Sequence, residues 1–93
     1  MIYVLYDPMA SGYLKQIFGK AVPDWRDAKQ YKRLSVAASP STGAGLMNTG
    51  RNVPPGHTAN HKYQNLPNVE VHEYDMNGNF VRSHAAPPSY ISL

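Results

Sequence analysis

The chain has 93 residues, of which 42% are hydrophobic and 16% are charged, and it contains eight prolines, seven glycines and no cysteine. That composition is typical of one loop-rich domain with a modest core, and the lack of cysteine excludes structural disulfides and thiolate metal sites. Nine lysines and arginines against six aspartates and glutamates give a net charge of +3, which is compatible with nucleic acid or an acidic protein as partner but requires neither.

The N-terminal part of the chain predicts a strand followed by a helix. Residues 2–6, "IYVLY", are mainly β-branched and aromatic, and the Asp-Pro pair after them ends the strand. In residues 8–18 an apolar side chain recurs every four positions, at Met9, Tyr13 and Ile17. This spacing predicts an amphipathic helix that ends at the following glycine.

A second helix is predicted over residues 22–34, with Asp24 as its N-cap. Trp25, Ala28 and Tyr31 form its apolar stripe, and the opposite face is basic. The side chains of this segment that are candidates for contact with phosphates or an acidic partner are Arg26, Lys29, Tyr31, Lys32 and Arg33. A solvated helix face with favourable charges at its C-terminal end explains the same pattern at least as well.

Residues 36–68 form the least regular part of the chain. They are rich in serine, glycine, proline and asparagine and show no sustained period, although a short strand fits "SVAA" or "GLMN". A structureless stretch of this length in a small domain usually has a functional reason, so we expect a binding loop or an arm that lies over a partner. Its candidate contact residues are Arg51, His57, His61 and Tyr63.

His57 and His61 raise the question of a metal site. In a helix they would lie one turn apart and chelate an ion, but the prolines on either side favour a loop. The spacing PxGxTxxH over residues 54–61 resembles that of a group of HNH-type nucleases, although the glutamate of an HExxH zinc motif is missing. We therefore expect hydrogen-bonding histidines in a polar loop, with neither a metal nor a cofactor.

The C-terminal stretch "VEVHEYDMNGNFVRSH" predicts a β-hairpin. The Asn-Gly pair at its centre is typical of a two-residue type I′ turn. Counting outward from that turn pairs Tyr74 with Val81 and Glu73 with Arg82, and it places His84 one diagonal step from Glu73. Three polar side chains of different chemistry are therefore expected on one face of the hairpin.

Glu73, Arg82 and His84 carry the functional groups that metal-independent RNA cleavage needs. A base must take the proton of the 2′-hydroxyl, an acid must protonate the leaving oxygen, and a cation must stabilise the phosphorane. The order of Glu, Arg and His on neighbouring antiparallel strands resembles that of barnase-type microbial ribonucleases, which implies a ribonuclease in which these residues are catalytic. The alternative is a cross-strand ion pair on a solvated face, worth ~0.2–1 kcal/mol.

The sequence thus predicts a single α+β domain over residues 1–93. Its parts are a small antiparallel sheet with a C-terminal hairpin, one or two N-terminal helices, a long irregular middle and an extended tail at residues 86–93. No apolar run approaches the ~20 residues of a membrane span, so we expect a cytoplasmic or virion-associated protein without a membrane partner.

The expected function is non-enzymatic. We expect a binding or structural protein, of the viral or phage accessory or capsid-associated kind, that engages a protein partner or an oligomeric assembly through extended loops. Nucleic acid is the other partner class that the basic charge allows. The alternative function is a metal-independent RNase or nuclease toxin that uses Glu73, Arg82 and His84.

Overall fold

The computed structural model describes residues 1–17, 19–49, 51 and 66–85. Five strands in this part of the chain form one antiparallel sheet: β1 (Ile2–Asp7), β2 (Gly12–Leu14), β3 (Ala21–Val22), β4 (Glu70–Tyr74) and β5 (Phe80–Ala85). The other described elements are two short helices, α1 (Leu34–Ala37) and α2 (Ala44–Met47), and one 3-10 turn at Trp25–Asp27. The sheet and the two helices are compatible with the small α+β fold that the sequence predicts.

Some of the predicted features lie outside the described residues. These are the tail at residues 86–93 and residues 52–65 of the loop or arm. Among the helices that are described, none has the length and the apolar character needed to cross a membrane.

β1 lies in the middle of the sheet, whose strand order is β3-β2-β1-β4-β5. It pairs with β4 along most of its length, from Ile2 to Tyr6. On its other side β2 reaches only the end of the strand, where Tyr6 lies opposite Tyr13. Successive side chains of β1 point to opposite faces of the sheet. Both faces are covered, because the neighbours Val4 and Leu5 are both buried.

One face of the sheet, here called the helical face, packs against α1 and α2. The core on this side consists of Leu5, Leu14, Tyr31, Ala37, Ala44, Met47, Val69 and Val71. Asn48 joins the end of α2 to the sheet: its side-chain oxygen accepts the Val69 N–H at 2.7 Å, and its amide donates to the Val69 carbonyl at 3.1 Å. Asn48 thereby takes the place of a strand neighbour for Val69.

The opposite face, here called the ring face, carries a smaller core of Val4, Ala28 and Tyr74. Trp25 stacks on Tyr74 with ring centroids 4.3 Å apart, so the 3-10 turn covers part of this face. Large rings bury much apolar area per residue, which lets a few residues close this side of a small domain.

Residues 8–17, the described part of the first predicted helix, do not form a helix. The carbonyl of Asp7 accepts the Ala10 N–H at 3.2 Å in a turn, and Ser11 has a positive φ of 50°. The chain then enters β2, where Tyr13 joins the ring face and Leu14 the helical face. The apolar spacing is misleading here, because a strand that is covered on both faces also needs apolar residues at neighbouring positions.

Between β3 and α1 the chain forms a 3-10 turn and no longer helix, so the second predicted helix, over residues 22–34, is also wrong. Asp24 does cap that turn, since its side chain accepts the N–H two residues later at 2.9 Å. Further on, Tyr31 forms an antiparallel bridge with Tyr3 through two hydrogen bonds of 2.9 and 2.8 Å. Because β2 pairs only with the far end of β1, the backbone of Tyr3 takes residue 31 as its partner, and this need outweighs helix propensity.

α2 and the second half of α1 lie in residues 36–68, where the sequence predicts a loop or arm. "SVAA" and "GLMN", the two stretches considered for a short strand, overlap these helices instead. Gly43 allows the two helices to pack closely, because a Cβ at this position would overlap the carbonyl oxygens of Val36 and Ala37. Helices of four residues are too short to show a helical period in the sequence.

The turn between β4 and β5 differs from the predicted type I′ turn. Gly78 has a φ of +85°, whereas the φ of Asn77 is not positive. The Gly78 N–H donates to the Asp75 carbonyl and the Asp75 N–H donates to the Asn79 carbonyl, each at 3.0 Å. The loop is therefore three residues long, with glycine in the left-handed region as its last member.

The longer loop changes the pairing next to the turn. Tyr74 lies opposite Phe80 rather than opposite Val81 as predicted. A bulge after Glu73 leaves Val81 as an extra residue, so that Glu73 lies opposite Arg82. The same shift puts Phe80 on the ring face, 5.6 Å from the Tyr74 ring, and not on the face of Glu73.

Candidate functional site

Glu73, Arg82 and His84, the predicted catalytic set, lie together on the helical face of β4 and β5. Glu73 Oε1 is 2.7 Å from His84 Nε2 and 3.8 Å from Arg82 Nε. The Tyr3 ring on β1 lies beside the imidazole, with centroids 6.1 Å apart. The antiparallel register produces this grouping, because Arg82 is directly opposite Glu73 and His84 is diagonal to it.

The three side chains differ in their access to solvent. The Glu73 side chain is 9% exposed, that of His84 is 26% exposed and that of Arg82 is 65% exposed. Since the carboxylate is buried and already bonded to the imidazole, a phosphate cannot lie between Glu73 and His84 as it must between a base and an acid. The arrangement fits a carboxylate that orients a histidine, with an exposed arginine beside the pair.

Four of the five candidates in the basic segment are exposed, although they do not share a helix face: Arg26, Lys29, Lys32 and Arg33. Arg26 pairs with Asp24 at 3.4 Å. Lys29 Nζ lies 5.2 Å from the centroid of the Tyr31 ring. Tyr31 is itself buried, and burial raises the pKa of its hydroxyl. The Tyr31 ring packs in the core next to the basic segment, so it is not exposed for contact with a partner.

Arg51, which the sequence made a candidate for partner contact, is part of the core. Only 6% of the residue is exposed. Its Nη1 donates to Asp7 Oδ1 at 3.3 Å and to the Pro67 carbonyl at 3.0 Å. Arg51 therefore ties the end of β1 to the residues before β4, and in this structure it has no surface to offer a partner.

The histidines do not form one site in the described part of the chain. His57, His61 and Tyr63 lie outside it, while His72 and His84 lie on opposite faces of the sheet. Among the described residues there is no group of three histidines or carboxylates placed to hold a metal ion.

A groove of about 580 Å³ lies where β1 begins, between the hairpin turn and the basic segment. This β1 groove is lined by Met1, Ile2, Gln30, Tyr31, Lys32 and Met76. Met76 is 78% exposed and Met1 is 47% exposed. The groove therefore combines solvent-exposed apolar side chains with a lysine of the predicted basic segment.

Sequence reasoning identified two residues of the β1 groove, Tyr31 and Lys32, but not the groove. Its lining comes from three segments that are distant in the chain and meet only because β1 pairs with β4 and with residue 31. Met76 was the one local feature of the sequence that could have indicated the groove. Central positions of a turn usually carry polar residues, and an apolar side chain there is unusual.

The ring face holds a hydrogen-bonded chain that the sequence did not indicate. Tyr13 Oη lies 2.6 Å from Tyr74 Oη and 3.2 Å from His72 Nδ1. His72 Nε2 lies 3.0 Å from Glu70 Oε1, which also accepts a hydrogen bond from Ser83 at 2.7 Å. Burial, followed by the bond to Tyr74, raises the pKa of Tyr13 far above its ordinary value. Each of these side chains already has a hydrogen-bond partner, so this series of hydrogen bonds stabilises the sheet.

No protein-family model matches this chain, and neither a curated protein sequence nor a solved structure does.

Proposed function

We propose that this chain is a non-enzymatic binding domain that engages a protein partner through the β1 groove. The observation that carries the proposal is the exposure of Met76 and Met1 in a groove of about 580 Å³. Neighbouring apolar side chains that a domain leaves in water are typical of surfaces that another protein covers. Methionine suits this role, because its flexible thioether adapts to the shape of a partner.

Strand β5 supplies further support next to the same turn. Its residues Phe80 and Val81 are exposed, and no strand of the described residues pairs with its outer edge. An exposed edge of this kind can accept a strand from another chain. A partner that contacts Met76 therefore finds both side-chain and backbone contacts available on the adjacent strand.

Site-specific crosslinking in the native cells tests the proposal. The photoreactive residue p-benzoylphenylalanine replaces Met76, and the crosslinked products are identified by mass spectrometry. We expect one prominent adduct with another protein, and we expect the substitution Lys32→Glu to reduce its yield because Lys32 lines the same groove.

Two controls make the result specific to the groove. The same photoreactive residue at Met9, which is exposed beyond the opposite end of β1, should not give this adduct. Lys20→Glu, which removes an exposed lysine outside the groove, should leave its yield unchanged. An identical adduct pattern from Met9 and Met76, or no protein adduct from Met76, contradicts the proposal.

A metal-independent RNase is the second candidate function, and the 2.7 Å contact between Glu73 and His84 is the observation that favours it. In this geometry His84 would take the proton of the 2′-hydroxyl as that oxygen attacks the phosphorus, and the leaving 5′-oxygen would take its proton from solvent water. Glu73 would hold the imidazole, and Arg82 would stabilise charge on the phosphate. Glu73 acts here as a positioning residue, because its carboxylate is bonded to His84.

Cleavage of single-stranded RNA by the purified protein tests the second candidate. If the protein is an RNase, His84→Ala should abolish cleavage and Glu73→Gln should shift the pH profile of the rate, while Lys20→Ala, at an exposed lysine outside every candidate set, should retain activity. Absent cleavage by the unchanged protein, or equal cleavage by the unchanged protein and His84→Ala, removes this candidate.

A further inference from the structure

The charge of the β1 groove is one-sided. Among the described residues that line it, Lys32 carries a positive charge and none carries a carboxylate. A second ammonium group lies next to the lining, because Lys29 Nζ is 5.2 Å from the ring centroid of Tyr31. The acidic residue adjacent to Met76 in sequence is Asp75, whose Oδ1 accepts the N–H groups of two turn residues at 2.9 Å each. That carboxylate keeps its charge, but the turn holds it and it is not among the described lining residues, so the two lysines give this groove a local positive charge that favours an anionic group.

The apolar part of the lining is aliphatic. Met1, Ile2 and Met76 supply it, whereas Tyr31, the one aromatic residue in the described lining, is buried. Nucleic-acid bases bind proteins largely by stacking on exposed aromatic rings. The described lining has no such exposed ring and instead offers flexible side chains that suit aliphatic groups. The aliphatic lining therefore favours an acidic peptide over a single-stranded nucleic acid, although both of these ligands are anionic.

The backbone beside the groove has free hydrogen-bonding groups. Tyr31 directs both its N–H and its C=O to Tyr3 in the antiparallel bridge. In such a pair the flanking residues direct theirs to the other side. Accordingly, the N–H and C=O groups of Gln30 and Lys32 form no hydrogen bond with any described residue. An incoming extended chain can pair with them as an added strand.

We infer that the β1 groove binds an extended segment of a partner protein in which a carboxylate side chain lies close to large aliphatic side chains. The carboxylate pairs with Lys32, the aliphatic groups pack on Met1 and Met76, and the peptide backbone pairs with residues 30–32. This inference depends on the proposed function of the groove and adds the chemistry of the partner.

Titration with short blocked peptides tests the inference. One peptide alternates glutamate with leucine, a second alternates lysine with leucine, and a third alternates glutamate with serine. Amide and methionine-methyl NMR signals of the full chain report where each peptide binds. We expect the first peptide alone to shift the signals of Gln30, Lys32, Met1 and Met76, with weaker binding at higher salt.

Charge reversal at Lys32 gives a stricter test. Lys32→Glu should weaken binding of the glutamate-leucine peptide by about three- to fivefold, the size expected for one exposed ion pair, and should allow the lysine-leucine peptide to bind. Lys20→Glu is the matched control, because it makes the same charge change at an exposed lysine outside the groove and should bind as the unchanged chain does.

Several results overturn the inference. The peptide results that do so are equal binding of the glutamate and lysine peptides, equal binding when serine replaces leucine, and no binding by any peptide. Signal shifts outside the groove would also overturn it. So would tighter binding of oligouridylate, which is titrated in the same way as a single-stranded nucleic acid. If they occur while the Met76 crosslink still depends on Lys32, the groove binds a protein of different chemistry. If the crosslink also fails, the proposed function itself is wrong.

Discussion

Glu70 shows how closely single residues are constrained on the ring face. Its Oε1 accepts a hydrogen bond from Ser83 at 2.7 Å and lies 3.0 Å from His72 Nε2. The Ser83 bond is the main cause that holds the pKa of the Glu70 carboxyl below its ordinary value of 4.5, with His72 adding to it and burial opposing it. Because these contacts favour the ionised form, they stabilise the fold when Glu70 carries its charge.

Ser83→Ala should therefore raise the pKa of Glu70. A carboxyl whose pKa is lowered by folding contributes stability above its unfolded pKa and loses it as pH falls through the folded pKa. The variant should accordingly be less stable than the unchanged chain at neutral pH, and the difference should shrink below pH 4.5, the ordinary carboxyl value. Side-chain carboxyl NMR titration measures the pKa, and urea unfolding at several pH values measures stability.

Ser35→Ala is the control for this prediction, since it removes an exposed hydroxyl in α1, far from Glu70 in the chain. It should leave the pKa of Glu70 unchanged. If the two alanine variants give the same Glu70 titration curve, the Ser83 hydrogen bond does not determine this pKa.

At the level of elements, local patterns predicted strands better than helices. β1 follows from four β-branched or aromatic residues and one leucine before an Asp-Pro pair. The two predicted helices failed because the decisive contacts are long-range: Tyr13 belongs to a strand of the central sheet, and Tyr31 pairs with Tyr3. An apolar residue every three or four positions cannot distinguish a helix stripe from short extended segments covered on both faces.

The hairpin shows why turn residues do not determine turn length. Asn77-Gly78 fits a two-residue loop, yet the structure uses a three-residue loop and a bulge at Val81. The two differences cancel beyond the bulge, so that Glu73 still lies opposite Arg82. Between the turn and the bulge the two differences do not cancel. Phe80 therefore lies on the ring face, whereas the sequence placed it on the face of Glu73.

Gly78→Ala tests the turn directly. Its φ of +85° lies in the left-handed region, where a Cβ costs about 1–2 kcal/mol. We expect a loss of folding free energy of about that size, measured by urea unfolding. Gly78→Asn should lose less, because asparagine tolerates this region better than alanine. If alanine costs no more than asparagine, the backbone conformation of residue 78 is not what stabilises the turn.

For the whole molecule, the described fold depends on contacts that join distant parts of the chain. The β1 groove unites residues 1–2, 30–32 and 76, and no periodicity within any one of these segments indicates the others. The Glu73, Arg82 and His84 cluster was accessible to sequence reasoning because all three lie on one hairpin. Burial was harder to predict: Arg51 was expected to contact a partner, Tyr31 was assigned both to an apolar stripe and to the candidate contacts, and both residues are buried.

The buried ion pair between Asp7 and Arg51 is the strongest test of that long-range organisation. The two residues are 44 positions apart, and their side chains are 12% and 7% exposed. Arg51 also carries a buried Nε with no hydrogen-bond partner among the described residues, which adds to the cost of burying it. Removing one partner leaves an uncompensated charge in the core, whereas removing both leaves none.

Asp7→Asn and Arg51→Met should each destabilise the fold by about 3–5 kcal/mol, and the double variant should lose much less than the sum. Asparagine keeps an oxygen for the Met9 N–H, from which Asp7 accepts a hydrogen bond at 3.0 Å. The double-mutant cycle therefore measures the interaction between the two charges and not the loss of this hydrogen bond. Urea unfolding of all four proteins measures the coupling. The exposed pair Asp24 and Arg26, treated in the same way, should give a coupling below about 1 kcal/mol. Equal coupling in the two cycles would show that the Asp7–Arg51 pair lies in water and does not join β1 to the segment after α2.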